Sequence, residues 1–320
     1  MIDLAKTKKK MGPVRKIILA LCIIIFLCSS SLVIRYYLDV HSSEQEMESL
    51  ANLIPEPKTD AEEEEDATAA PDYSALLEIN SGFVGWVTVP NTSVNYPVVK
   101  TVDNSFYLNH NFNKEYDSRG AVFMDYRNNP VDLDANTIIY SHNYYDTTMF
   151  SELTQYENID FYKKTPVFEF NTVERKYKWK IYAVFITNAS ADEDNGYVFN
   201  YIYPYMDGDN FDGFIAEVNK RRLYVTDVDI NDDDKMLILS TCIRTLDLYN
   251  KYGKRTYRAN TRIAILARAV RDGESEEVNV EKAYVNPNPK YPQLYYDKHG
   301  ITNPYKDDEK WYPQEVLSNG

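Results

Sequence analysis

Cys242 closes an apolar run, Met236-Leu237-Ile238-Leu239-Ser240-Thr241-Cys242, and the other two cysteines, Cys22 and Cys28, sit together in one apolar N-terminal segment. A thiol alone in its domain can close no disulfide there, so outside the cell it has no obvious structural task. It reads as a nucleophile, the alternative being a buried cysteine that acts as a small hydrophobe. A thiol nucleophile needs a base or a cation beside it. Of four histidines, His41 lies near the N-terminus, His299 near the C-terminus and His110 in a loop after Tyr107-Leu108-Asn109. His142 follows the apolar strand Thr137-Ile138-Ile139-Tyr140, and a polar residue at a strand's exit is well placed to line a cleft. The alternative for His142 is an ordinary surface loop. Spacing alone makes the Cys242–His142 pairing reasonable and no more.

These residues need a scaffold. Of 320 residues, 44% are hydrophobic, enough for one core with appendages. From about Tyr73 the chain alternates apolar and polar residues and is rich in Tyr, Val and Ile. Strands are expected at 83–89, 94–99, 121–124, 137–140, 167–170, 177–185, 236–241 and 262–267. Pro97 marks an edge or a bulge in the second of them. Part of a helix is expected within 148–153. The clearest helix is 210–222, with Phe211, Phe214, Ile215 and Val218 on one face and Asn210 as N-cap. Many short strands with few helices predict a mostly β fold with helical insertions, a closed or nearly closed barrel.

The flanks differ in character. Residues 1–16 carry Lys6, Lys8, Lys9, Lys10, Arg15 and Lys16 ahead of the apolar run Ile17–Ile34. Eighteen residues at about 1.5 Å each span about 27 Å, close to the hydrocarbon core of a bilayer. The basic cluster predicts a cytoplasmic N-terminus and a remainder facing outward. The bulky Leu32-Val33-Ile34-Arg35-Tyr36 offers no small-residue cleavage site, so 17–35 reads as an uncleaved signal-anchor rather than a signal peptide. Residues 36–72 read as a stalk, helical over 36–54 and then solvated through the acidic run 62–66. Residues 73–270 form the folded domain. Residues 271–320, rich in Pro, Asn, Tyr and charge, read as an irregular tail packed through Tyr295, Tyr296 and Trp311. A net charge of −14 lacks the basic footprint of a nucleic-acid binder. The sequence contains no metal-ligand cluster and calls for no cofactor. Asp232, Asp233 and Asp234 read as a solvated loop, with a bound cation as the alternative.

Several ordered segments resemble the sortases, membrane-anchored cysteine transpeptidases of Gram-positive bacteria, and class B best. Leu239-Ser240-Thr241-Cys242 is similar to the family's cysteine signature. Thr137-Ile138-Ile139-Tyr140-Ser141-His142-Asn143, followed by Met149-Phe150, resembles its histidine segment. Phe83-Val84-Gly85-Trp86, Tyr96-Pro97-Val98-Val99, Tyr107-Leu108 with Asn111-Phe112, and Gly120 to Arg127 also resemble class B segments. So does a helix ahead of the cysteine strand.

The resemblance covers roughly 73–270. It implies an eight-stranded β-barrel and a Cys-His-Arg site. The arginine should open the strand after the cysteine loop, where Arg262-Ile263-Ala264-Ile265-Leu266-Ala267 fits best and Arg244, Arg255 and Arg258 compete. The gap from Cys242 to Arg262 is long for class B, and Ser141 and Ile243 depart from the family's usual residues. Ser240, Thr241 and Asn111 are candidates for holding substrate.

The implied reaction cleaves an Asn-Pro-x-Thr-type signal of secreted surface proteins and joins them to a peptidoglycan amine. The alternatives are a pilin-polymerising enzyme with a lysine acceptor and a catalytically silent tethered binding module. Asn288-Pro289-Lys290 resembles the opening of such a signal, so a tail that competes in the cleft is a further expectation, against the simpler reading of a Pro-rich packing segment.

Overall fold

The computed structural model describes residues 12–55, 68–206 and 208–314. The chain divides into two compact units, Met1–Ser49 and Leu50–Gly320. The first is built on one helix, Pro13–Ala51, long and apolar enough to cross a membrane. At 1.5 Å per residue its 39 residues run about 58 Å, roughly twice a hydrocarbon core, so the apolar run and the start of the expected stalk are one helix. Lys6 to Lys10 and the acidic run 62–66 lie outside the described residues.

The second unit is a closed barrel of eight strands: β1 (Phe83–Thr88), β2 (Asn95–Val99), β3 (Val122–Met124), β4 (Asn136–Tyr140), β5 (Val167–Thr172), β6 (Lys178–Asn188), β7 (Met236–Ile243) and β8 (Thr261–Ala269). Around the barrel the order is β1-β2-β3-β4-β7-β8-β6-β5, with β5 closing back on β1. Two pairs are parallel, β2 with β3 and β4 with β7; the others are antiparallel. Closure leaves no free sheet edge. Strands β4, β6, β7 and β8 are buried almost throughout. That explains their nearly continuous apolar runs.

The bulge expected at Pro97 falls instead in β1, where the register slips between Phe83 and Gly85. Pro97 precedes the parallel ladder to β3, which begins at Val98, so its missing N–H costs no bond there. The piece expected over 148–153 is a 3-10 helix, Ser151–Glu157.

The helix Gly208–Arg221 packs Phe211, Phe214 and Val218 with Phe185, Phe199 and Tyr201. Asn210 is not its N-cap. The helix has already begun at Gly208, and the Asn210 carboxamide accepts from the Gln314 N–H at 2.8 Å.

Residues 271–314 are part of this second unit. Tyr284-Val285 pair with Tyr224-Val225, and Trp311 packs against Phe199 and Phe214. The Asn288-Pro289-Lys290 segment is tied to the helix Gly208–Arg221 and does not line the cleft that holds Cys242. Lys290 is buried, its N–H meets Lys220 O at 2.8 Å, and its ammonium meets Glu217 at 3.3 Å and Asp308 at 3.1 Å. A buried, paired lysine cannot swing out to compete for substrate. The aspartate run is not uniformly solvated either. Asp234 is buried and pairs with Arg271 at 2.7 Å.

The far end of β8 carries an ionic cluster with a testable consequence. The fully buried Arg268 meets Glu274 and Asp229, each at 2.7 Å, and Lys180 meets Glu274 at 2.6 Å. Hydrogen bonds from Arg268 hold the Glu274 carboxyl well below its ordinary value; burial opposes this and Lys180 reinforces it. A depressed carboxylate pKa gives stability that is fully present above the unfolded value of 4.5 and is lost as pH falls below it. Melting curves of the full chain at pH 7, 5, 4 and 3 should therefore fall more steeply for the native protein than for Glu274→Gln. Parallel curves would sink this account.

Candidate active site

The barrel's register assembles the site. Cys242, the next-to-last residue of β7, is half-buried, and its direct partner across the antiparallel ladder is Arg262. On the other flank the parallel ladder pairs Tyr140 with Ser240. His142 follows two residues past Tyr140, the last residue of β4. Thiol, imidazole and guanidinium all line one cleft of about 540 Å³, together with Leu108, Phe123 and Tyr140.

Each group is oriented. His142 Nε2 lies 2.8 Å from Leu108 O. A carbonyl only accepts, so Nε2 carries a proton and Nδ1 is left to exchange protons with the cleft. Both chain neighbours of His142 are fastened to the cysteine strand. Thr241 Oγ1 donates to Ser141 O at 2.7 Å, and Asn143 Nδ2 donates to Cys242 O at 2.7 Å. Arg244 in turn donates to Asn143 Oδ1 at 2.9 Å and stacks over Tyr145 at 4.0 Å. Arg262 Nη1 donates to Asn260 Oδ1 at 2.9 Å and to Thr261 O at 3.1 Å, which leaves further N–H groups of the fork for a ligand.

Below the cleft, Asp125 is buried and accepts from Tyr140 Oη and Asn104 Nδ2, both at 2.9 Å, and from the Arg127 fork at 2.8 and 2.9 Å. Burial works to raise its pKa, but the Arg127 and Asn104 hydrogen bonds outweigh it and hold the carboxyl below its ordinary value.

Among the competing arginines, Arg255 is paired with Asp247 at 3.1 Å and does not line the cleft. Arg244 and Arg258 do line it, but only Arg262 is the register partner of Cys242. The long gap between Cys242 and Arg262 holds a small hairpin, Leu248-Tyr249 with Arg255–Tyr257, turned at Gly253, whose φ is 74°. Ser240 and Thr241 border the cleft, yet their hydroxyls are engaged inside the protein. Ser240 Oγ is 2.9 Å from Tyr201 Oη, and Thr241 is committed to Ser141 O. Asn111 is not brought to the cleft. It closes a turn, its Oδ1 accepting from the Glu115 N–H at 3.0 Å. His110 stacks on Phe106 at 4.0 Å and lies outside the cleft lining.

Sequence reasoning assigned no role to Asn143, Asp125 or Asp247. The first two stood inside the quoted segments 137–143 and 120–127. Asp247 is marked only by being a carboxylate in an otherwise basic loop. Among the described residues no group of His, Cys, Asp and Glu is arranged to hold a metal ion.

A closed barrel that presents a half-buried thiol between an imidazole and a guanidinium has the architecture of the cysteine transpeptidases. The Sortase domain family model matches residues 87–261, more than half of the chain, and the chain belongs to the sortase family. It is similar to Sortase B of Listeria monocytogenes, 34% identical over 168 residues, which are 52% of this chain and 65% of that protein. It is similar also to Sortase B of Staphylococcus aureus, 33% identical over 186 residues, 58% of this chain and 72% of that protein. The match thus spans a little less than two thirds of the Listeria relative. Among solved structures, a Staphylococcus aureus sortase B–substrate complex has a TM-score of 0.53 at 32% identity, covering 62% of this chain and 84% of that one. Sortase B from Bacillus anthracis in complex with AAEK1 has a TM-score of 0.58 at 25% identity, covering 73% and 98%.

Proposed function

We propose that this chain is a membrane-anchored, class B-type transpeptidase. It cleaves an Asn-Pro-x-Thr-type sorting signal of secreted surface proteins and joins them to an amine of the cell wall. The observation that supports the reading is that Cys242, His142 and Arg262 line one cleft, Arg262 being the register partner of Cys242. The Cys242 thiolate attacks the carbonyl carbon of the scissile peptide bond. Arg262 N–H groups take the developing oxyanion. His142 protonates the departing amine, the C–N bond breaks, and a thioester to Cys242 remains. An incoming amine attacks the thioester and gives its proton to His142. The new amide forms and the thiolate is restored.

The apolar helix serves as the anchor, with the basic N-terminus inside and the barrel outside. The tilt of the basic residues toward that end supports this orientation.

The test uses the full chain in nonionic detergent with quenched fluorescent Asn-Pro-x-Thr peptides, with and without triglycine, followed by mass spectrometry. A sortase B has been solved in complex with triglycine, which supports that peptide as the acceptor probe. Cleavage with formation of the triglycine-ligated product is expected. A product formed only on a lysine ε-amine would instead favour pilin polymerisation. Neither cleavage nor thioester capture would leave a silent binding module.

Arg262→Lys should lose about 10²-fold or more in kcat, because lysine keeps the charge but not the planar fork that an oxyanion site uses. Near-native rates in Arg262→Lys, with collapse in Arg258→Lys, would move the role into the hairpin loop.

A further inference from the structure

The segment that follows the barrel lies beyond residues 87–261, the part matched to the family. Its short helix, Gln293–His299, meets the first limb of the loop between Cys242 and Arg262 directly and reaches the second limb through Glu193-Asp194. At one end, Lys298 Nζ donates to Thr245 O at 2.6 Å and to Asp247 O at 2.9 Å. These carbonyls stand three and five residues after Cys242. Asp247 is fully buried and relays the contact across the loop, its carboxylate accepting from the Ala259 N–H at 2.8 Å and from Arg255 at 3.1 Å. At the other end of the helix, the Gln293 N–H donates to Asp194 Oδ1 at 2.9 Å. The adjacent Glu193, also buried, accepts from the Asn260 N–H and from Tyr257 Oη. Asn260 is the residue that orients Arg262.

The helix therefore closes a ring: Lys298, Asp247, Ala259-Asn260, Glu193-Asp194, Gln293. The chain on either side of it is fixed to the helix Gly208–Arg221 through Lys290 and Trp311. Seven residues at 1.5 Å each give a strut of about 10 Å, rigid compared with the hairpin loop it spans.

We infer that the C-terminal segment is a built-in brace for the reaction centre, with Lys298 as a positioning residue that holds the Cys242–Arg262 loop in register. Lys298 touches neither the substrate nor the reacting atoms. It acts on the backbone that carries Arg262. A displacement of about 1 Å at such a site costs turnover out of proportion to stability. The role assigned to Arg262 rests on the transpeptidase reading; the bracing of the loop does not.

The experiment compares Lys298→Met and Lys298→Arg in the full chain in detergent. Two quantities are read: peptide cleavage, and hydrogen exchange at the Ala259 and Asn260 amides. In Lys298→Met, kcat should fall about ten-fold with KM within about two-fold. Exchange at Ala259 and Asn260 should accelerate while the amides of β6 and β7 keep native protection. Lys298→Arg should restore both. Native turnover with unchanged exchange in Lys298→Met would overturn the inference. So would an equal loss of protection in the barrel strands, which would mark the tail as generally structural. If the native chain itself cleaves no sorting peptide, the functional reading fails, while the exchange result still decides the brace.

Discussion

Cys242→Ala is expected to abolish turnover of the sorting peptide, by at least about 10⁴-fold in kcat, while the barrel stays folded. The loss follows from the lack of a substitute. The other two thiols, Cys22 and Cys28, lie in the apolar N-terminal helix. The hydroxyl of Ser240 is engaged with Tyr201. The fold is spared because the side chain is half-exposed at a strand end, so removing one sulfur leaves an opening to the cleft rather than a closed cavity. The backbone carbonyl that Asn143 holds is present in either residue. Melting within a few degrees of native, with no thioester adduct by intact mass, is the expected pair of results. Substantial residual ligation by the purified variant would remove Cys242 from the mechanism.

The elements were more legible in the sequence than their neighbours. Alternation and apolar runs marked all eight barrel strands within a few residues, because a strand's burial is written in its own side chains. Pairing is not. β4 and β7 lie side by side in parallel although almost a hundred residues separate them, and no local pattern encodes that. His142 and Cys242 are each visible in the sequence, but only the barrel explains why they line one cleft.

The arginine shows the same limit. Four candidates crowd 244–262, and the resemblance put Arg262 first with Arg244, Arg255 and Arg258 as competitors. In the structure Arg262 is the register partner of Cys242, Arg255 is paired with Asp247 and Arg244 bonds Asn143, while Arg258 lines the same cleft. Ser240 and Thr241 are candidates for holding substrate in the sequence. Here they sit in buried positions where an unpaired hydroxyl is costly, and both are satisfied internally. Side-chain alternation already turns Thr241 to the opposite face from Cys242. The tail's Pro-rich composition gave no sign of the helix Gln293–His299 or of the buried Lys290, since both depend on partners elsewhere in the chain.

His142→Ala should cost about 10²- to 10⁴-fold in kcat/KM, and His110→Ala less than about three-fold. The contrast is one of placement. His110 is stacked on Phe106, with Nδ1 at 2.8 Å from Phe106 O, outside the cleft. His142 lines the cleft, and the acceptor carbonyl of Leu108 fixes its tautomer so that Nδ1 faces the exchange of protons. An amide nitrogen cannot leave as an anion, so a peptide substrate needs that proton. An activated ester does not, because its phenolate leaves unaided. The loss in His142→Ala should therefore shrink by at least about ten-fold when a nitrophenyl ester replaces the scissile amide, whereas Cys242→Ala should be equally dead on both. A histidine that merely shaped the cleft would slow ester and amide alike. Parallel kinetics on the two substrates separate these roles, and equal losses for His142→Ala on both would leave the imidazole no part in protonating the leaving amine.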